Sequence, residues 1–300
     1  MKVRFWGVRG SVPSLERNMW RYGGNTSCVE VIAPSGTRFV LDCGTGLRLL
    51  GNHLAAASNG GAEAHVLVTH YHWDHIQGIP YFQPLFSPLS CLWFYGFHSP
   101  ALGTDTVRKV LEAQVTQPYF PVHLNSLPSR REFRDVDGGA NFSIADTRIR
   151  TCWLNHPQGC LGFRLESPAG SVVYATDYEP GEVALDRALR EFAAGADLLI
   201  ADAQYSPEEF AKRRGWGHST WSDAARLACD SRARNLVLFH HDPNSTDSIV
   251  DRYLRSACKE FPETWAAAEG MQFHIRPGCV HAHTGQRALA GSATLKPESE

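Results

Sequence analysis

The 300-residue chain lacks most of the features that mark specialised protein classes. No Cys-x-x-Cys pair occurs among its eight cysteines, Cys28, Cys43, Cys91, Cys152, Cys160, Cys229, Cys258 and Cys279. Several of them sit inside apolar, strand-like runs. That favours reduced, mostly buried thiols and a cytoplasmic setting over a disulfide framework. No stretch approaches the roughly 18 apolar residues of a membrane helix, so no membrane partner is expected. Met1–Trp6 carries no long apolar core of a signal peptide. Neither sign of charge dominates: 29 Lys+Arg stand against 31 Asp+Glu, a formal net charge of −2. Bulk charge therefore excludes a strongly basic nucleic-acid binder, while a local basic patch stays open. There is no internal repeat and no low-complexity linker. A hydrophobic share of 43% excludes disorder as the main state. One domain over residues 1–300 is the expectation, with a polar tail from about residue 289.

What the chain has in excess is histidine, 14 in all. The first third reads as strands: Lys2–Val8, Cys28–Ile32, Arg38–Asp42, His65–Thr69 and Leu92–Phe97. A helix is predicted over Thr104–Thr116. Short strands follow at Glu132–Phe133, Phe142–Ile144, Thr147–Leu154, Gly162–Leu165 and Ser171–Ala175. The last third alternates helix and strand: helices Pro180–Phe192, Ser219–Cys229 and Thr246–Glu260, strands Asp197–Asp202, Asn235–His240 and Gln272–Arg276. Ser219 or Thr220 serves as the N-cap of the second helix. The pattern predicts two packed sheets with helices outside.

The densest chemistry lies in Thr69-His70-Tyr71-His72-Trp73-Asp74-His75-Ile76-Gln77-Gly78, at the end of a buried strand. Three imidazoles and a carboxylate crowded there would be costly as a core feature, because unpaired buried polar groups cost several kcal/mol. They are a ligand set for zinc and similar ions. The two-residue period of an extended turn points His70 and His72 the same way. Asp74 and His75 follow as the chain turns into a helix and can face a second ion.

His-x-His-x-Asp-His on a strand-to-helix turn resembles the signature of the metallo-β-lactamase-fold superfamily. Further motifs stand in the matching order: Asp42 before Cys43-Gly44-Thr45-Gly46, His156 in Asn155-His156-Pro157, Asp177 in Ala175-Thr176-Asp177, and His240 in Leu238-Phe239-His240-His241. The resemblance spans about Met1 to Pro243. It implies an α/β fold, a four-layer αββα sandwich, holding two divalent metal ions, zinc before manganese or iron. By resemblance, His70, His72 and His156 hold one ion. Asp74, His75 and His240 hold the other, and Asp177 bridges them. A hydroxide between the ions is the implied nucleophile, its pKa lowered towards about 7. Asp42 orients the ligand turn. His240 and His241 compete for one place, and strand register does not choose; the family motif favours His240.

Leu199-Ile200-Ala201-Asp202, Gly217-His218-Ser219-Thr220 and Leu236-Val237-Leu238-Phe239-His240 resemble the phosphodiesterase branch of that superfamily, which includes ribonuclease Z and the cyclic phosphate phosphodiesterase of phosphonate breakdown. The resemblance makes His218 and Asp202 catalytic beside Asp74: an imidazolium steadied by a carboxylate stabilises charge and protonates the leaving oxygen. The alternative is that His218 only caps a helix. Lys212-Arg213-Arg214 either steers a phosphate or forms a solvated loop. The chain lacks the long basic arm of ribonuclease Z between His156 and Asp202, and the cysteine-rich structural zinc cluster of the phosphonate enzyme. Residues 79–137 form an insertion near the mouth of the site. Its aromatics (Tyr81, Phe82, Phe86, Trp93, Phe94, Tyr95, Phe97, Tyr119, Phe120) either stack a nucleobase or build a small core of their own.

The expected function is thus a dinuclear metal hydrolase, a phosphodiesterase of a small or cyclic phosphodiester such as a cyclic nucleotide. Extended nucleic acid is not the expected partner. A homodimer is carried over from the resemblance. The alternatives are a thioester or lactone hydrolase on the same metals, an armless tRNA 3′-end endonuclease, and a metal-dependent sensor that has lost catalysis.

Overall fold

A computed structural model describes residues 1–57 and 61–283. The predicted polar tail from residue 289 lies outside them. Six strands open the chain: β1 (Lys2–Gly7), β2 (Cys28–Ile32), β3 (Arg38–Leu41), β4 (Glu63–Leu67), β5 (Cys91–Phe97) and β6 (Arg130–Val136). Seven follow: β7 (Asn141–Ile144), β8 (Thr147–Leu154), β9 (Cys160–Ser167), β10 (Gly170–Ala175), β11 (Leu198–Asp202), β12 (Leu236–Phe239) and β13 (Thr264–Ala266). Then β14 (Gln272–Arg276) and β15 (Cys279–His283) return to the first sheet, whose order is β15-β14-β1-β2-β3-β4-β5-β6. The second sheet runs β13-β12-β11-β10-β9-β8-β7. The helices are α1 (Gly46–Ala57), α2 (Trp73–Ile76), α3 (Thr106–Gln114), α4 (Val183–Phe192), α5 (Pro207–Phe210), α6 (Trp221–Ser231) and α7 (Asp247–Glu260).

Strand alternation explains the layers. On β11, Leu198 and Ile200 face the core between the sheets, while Leu199 and Ala201 face the helices. A strand covered on both sides reads as a continuous apolar run. The inter-sheet core joins Val3, Phe5, Phe39 and Leu41 to Phe163, Tyr174 and Phe239. Leu47, Leu50 and Leu54 of α1 and Val107 and Leu111 of α3 cover the first sheet. Leu189 of α4, Ala225 of α6 and Tyr253 of α7 cover the second. The result is the αββα order.

Helix α1 was not expected from the sequence. Gly46 and Gly51 weaken its intrinsic propensity. Packing accounts for Gly51: a Cβ there would stand 2.9 Å from the Gln83 backbone nitrogen. Strands β13 and β15 were also not expected; each is short and lies at the edge of its sheet. Helix α4 starts at Val183, after the Glu182 cap, and not at Pro180. Of the two candidate caps of α6, Thr220 accepts from the Asp223 backbone N–H at 3.0 Å. Residues 79–137 are built into the fold: β5 and β6 extend the first sheet in parallel register, and Phe82, Leu85 and Phe94 are core residues. No disulfide forms among the described residues; Cys28, Cys43, Cys152 and Cys160 are buried, and Cys229 and Cys279 are exposed. No described helix is long and apolar enough to cross a membrane.

Candidate metal centre

The strand ends of both sheets deliver the site. Asp42 follows β3, Asp177 follows β10 and His240 follows β12, each with positive φ (62°, 56° and 61°). Left-handed backbone at non-glycine residues costs about 1–3 kcal/mol each and persists where surrounding structure enforces it. Here it turns three polar side chains out of apolar strands into one crevice.

His70, His72 and His156 form one group of converging donors, and Asp74, His75 and His240 another. Asp177 stands between them. Its Oδ1 lies 3.7 Å from His70 Nε2 and 3.9 Å from His156 Nε2; its Oδ2 lies 3.3 Å from His75 Nε2 and 3.4 Å from His240 Nε2. Asp74 Oδ2 is 3.1 Å from His240 Nε2 and 3.2 Å from His75 Nε2.

Partners on the far side of each ring decide which nitrogen faces in. His75 Nδ1 is 2.8 Å from Asp42 Oδ2, His156 Nδ1 2.8 Å from the Gly217 carbonyl, and His240 Nδ1 2.8 Å from Gln204 Oε1. Those oxygens only accept, so each Nδ1 carries the proton and each Nε2 turns a lone pair inward. His72 is reversed: Nε2 meets Gln158 Oε1 at 3.2 Å, and Nδ1 faces His156 Nε2 at 3.1 Å. His70 Nε2 is buried without any hydrogen-bond partner. His75 Nε2 and His240 Nε2 stand 3.2 Å apart. Lone pairs packed this closely, with an orphaned buried nitrogen, fit a pair of cations.

The electrostatics agree. Burial opposes a proton on His75, yet Asp177, Asp74 and Asp42 hold its pKa well above the ordinary value. Burial also opposes ionisation of Asp74, but His75 and His240 hold its carboxyl well below the usual range. The crevice therefore favours added positive charge. His70, by contrast, is pushed well below its ordinary value by burial and by its imidazole neighbours, as a neutral ligand would be.

Asp42 is fully buried and accepts from the Thr69 N–H at 2.8 Å, the Thr69 hydroxyl at 3.0 Å and the Tyr174 hydroxyl at 2.9 Å, besides His75. His218 Nδ1 lies 2.9 Å from Asp202 Oδ2, and its ring stacks on His240 with centroids 4.9 Å apart. The Ser219 and Gln204 N–H groups hold Asp202 Oδ1 at 3.0 and 3.1 Å. Burial works against a proton on His218, but Asp202 outweighs it and the pKa is raised to about 9.

Residues 37–241 match the family described as "Beta-lactamase superfamily domain". The chain belongs to this superfamily. Ribonuclease Z of Haloarcula marismortui is 24% identical to the new member over 84% of this chain and 90% of that protein. Among solved structures, the metallo-beta-lactamase fold protein YhfI from Bacillus subtilis superposes with a TM-score of 0.65 at 19% identity, over 90% of this chain and 97% of that one. A diphosphatase from the PhnP family superposes with a TM-score of 0.64 at 16% identity, over 92% and 98%. This superfamily member is a metal-dependent hydrolase with the metallo-β-lactamase fold, on the branch that holds ribonuclease Z.

Every expected site residue of this superfamily member lies in or beside the crevice; the competing His241 does not. That ring points away from it, with Nε2 2.9 Å from the Ala267 carbonyl and the ring against Tyr22. Arg213 and Arg214 lie over the rings of Tyr205 and Phe210. Sequence reasoning missed the loop after β1. The Ser11 N–H donates to Asp74 Oδ2 at 2.7 Å, and a Cβ on Gly10 would stand 2.3 Å from His240 Cε1. Arg9, fully buried, holds this loop by donating to the carbonyls of Gly23 and Ser245 at 2.8 and 2.6 Å. Glu179 was also missed; it accepts from the N–H groups of Gly215 and Gly217, just before His218. The Gly-Val-Arg-Gly-Ser run after a predicted strand was the available signal for the first.

Burial, helped by the Arg9 charge, lowers the His241 pKa from 6.5 to about 3. Below pH 6.5 the unfolded chain takes up a proton that the folded one refuses, so this contribution to stability is lost as pH falls from 6.5 towards 3. Between pH 7 and pH 5 the single site accounts for about 2 kcal/mol. Urea unfolding of wild type and His241→Gln at both pH values checks this: the variant should lose less stability on acidification, and equal losses would refute it.

Proposed function

We propose that the chain is a dinuclear metal phosphodiesterase acting on a small or cyclic phosphodiester. The observation that carries this reading is Asp177, whose two oxygens face two separate groups of inward-turned imidazoles, with the His218–Asp202 pair alongside. One cation would be held by His70 Nε2, His72 Nδ1 and His156 Nε2, the other by Asp74, His75 and His240, with Asp177 between. When bound, such a pair supplies Lewis acidity and an activated water. Zinc fits imidazole and carboxylate donors and leads manganese and iron in intrinsic affinity. His218, protonated at neutral pH, would neutralise charge on the phosphoryl oxygens and give its proton to the leaving oxygen. Asp202 keeps that imidazole oriented.

The similar proteins include a ribonuclease and a diphosphatase. The short connections favour a small substrate over an RNA: β8 to β10 is a plain antiparallel meander, and β10 to β11 carries α4 as its only element. The test is metal analysis with bis(p-nitrophenyl) phosphate turnover. Two equivalents with turnover support the reading; two equivalents without turnover sink it and favour a thioester or lactone.

Asp42→Asn should keep the fold but weaken metal binding by about 10- to 100-fold, because one acceptor for His75 or Thr69 becomes a donor. Competition against a chelator reads this directly. Unchanged affinity would remove Asp42 from the supporting role.

A further inference from the structure

Several aromatic rings beside the candidate centre have no place in the core. Trp73 is 78% exposed, Tyr119 79% and Tyr81 59%. They are not scattered: together with Pro80, Val110 and Phe120 they line one cavity of about 790 Å³. Phe120 meets Tyr81 edge-on, with centroids 6.0 Å apart, which fixes one wall. This cavity shares Tyr71, Leu102 and Val110 with a second one of about 520 Å³ whose lining includes His70 and His72. The two form one groove that begins at the metal-ligating turn and runs out between α2 and α3.

The groove is not purely apolar. Gln77 and Gln114 line it beside the aromatic rings. Lys109 lines the same cavity with its ammonium group tethered to the Leu102 carbonyl at 2.9 Å.

We infer that this groove receives the base of a nucleoside phosphodiester whose phosphate sits at the metal centre. The inference rests on the phosphodiesterase reading and narrows its substrate class. A nucleobase supplies what the groove lacks, a flat π-face for its exposed rings. The cavity is of the size that small-molecule sites occupy. It also divides the aromatics of the 79–137 segment by role: Phe82 and Phe94 are core, while Tyr81, Tyr119 and Phe120 are wall.

Calorimetric titration of the metal-loaded protein with adenosine 5′-monophosphate and with ribose 5-phosphate isolates the base. Base–aromatic stacking of about 1–3 kcal/mol predicts a preference of about 10-fold or more for the nucleotide. Tyr119→Ala and Tyr81→Ala, both at exposed rings outside the core, should bring the ratio close to one. Equal affinities in wild type, or a ratio untouched by both tyrosine variants, would overturn the inference. A nucleotide preference in a protein that turns over no phosphodiester would support the groove and sink the phosphodiesterase reading. Phosphodiester turnover with no nucleotide preference would do the reverse.

Discussion

Asp177→Ala is expected to strip metal from both halves of the site and to lower phosphodiester turnover by about 10³-fold. Asp177 is 1% exposed, and among the described residues no other carboxylate has one oxygen turned to His70 and His156 and the other to His75 and His240. Burial disfavours its charge, but His240, His75 and His70 hold its carboxyl well below the usual range, so it is an anion at any working pH. Removing it leaves four imidazoles facing each other with one negative charge fewer. Loss of several kcal/mol of charge stabilisation corresponds to the stated factor. Asp177→Asn, which tolerates the positive φ, should fall between wild type and alanine and guards against a folding artefact. Metal counts by atomic absorption decide the matter: two equivalents retained in the alanine variant would refute the bridging role.

His218→Ala is expected to keep both metal ions and still lose about 100-fold in turnover of phosphodiesters. Nδ1 of the ring is 2.9 Å from Asp202 Oδ2 and 3.7 Å from Asp177 Oδ1; it clusters with Asp177, Asp202 and His240 but belongs to neither of the two triads proposed to hold the ions. Asp202 is itself held by three backbone N–H groups, those of Asp177, Gln204 and Ser219, so the pair is rigid before substrate arrives. The loss should fall on kcat more than KM, because a proton donor matters most as the leaving oxygen gains charge. It should also be larger for a poor alkoxide leaving group than for p-nitrophenolate, which leaves unaided. Unchanged turnover of both would point to carbonyl chemistry, where metal polarisation alone suffices.

How much of this was legible in the chain differs by residue. His70, His72, Asp74 and His75 lie within six residues, so their convergence is a local property of a strand running into a helix. His156, Asp177 and His240 were legible only through the resemblance, whose motifs stand at strand ends in the matching order. The choice of His240 over His241 had no local solution. That the His240 ring faces the crevice follows from the positive φ at His240, from Gln204 Oε1 behind its ring, and from the Ala267 carbonyl that accepts a hydrogen bond from His241 Nε2. Helix α1 escaped because its glycines answer to packing and not to propensity.

The donor types, their spacing and the two-sheet alternation are carried by the order of residues, since period-two strands and coordination chemistry are both short-range. The direction of each imidazole lone pair, the Ser11 N–H on Asp74 and the aromatic groove were decided only by tertiary structure. Each depends on groups from distant parts of the chain meeting across two sheets, and no local period encodes such a meeting.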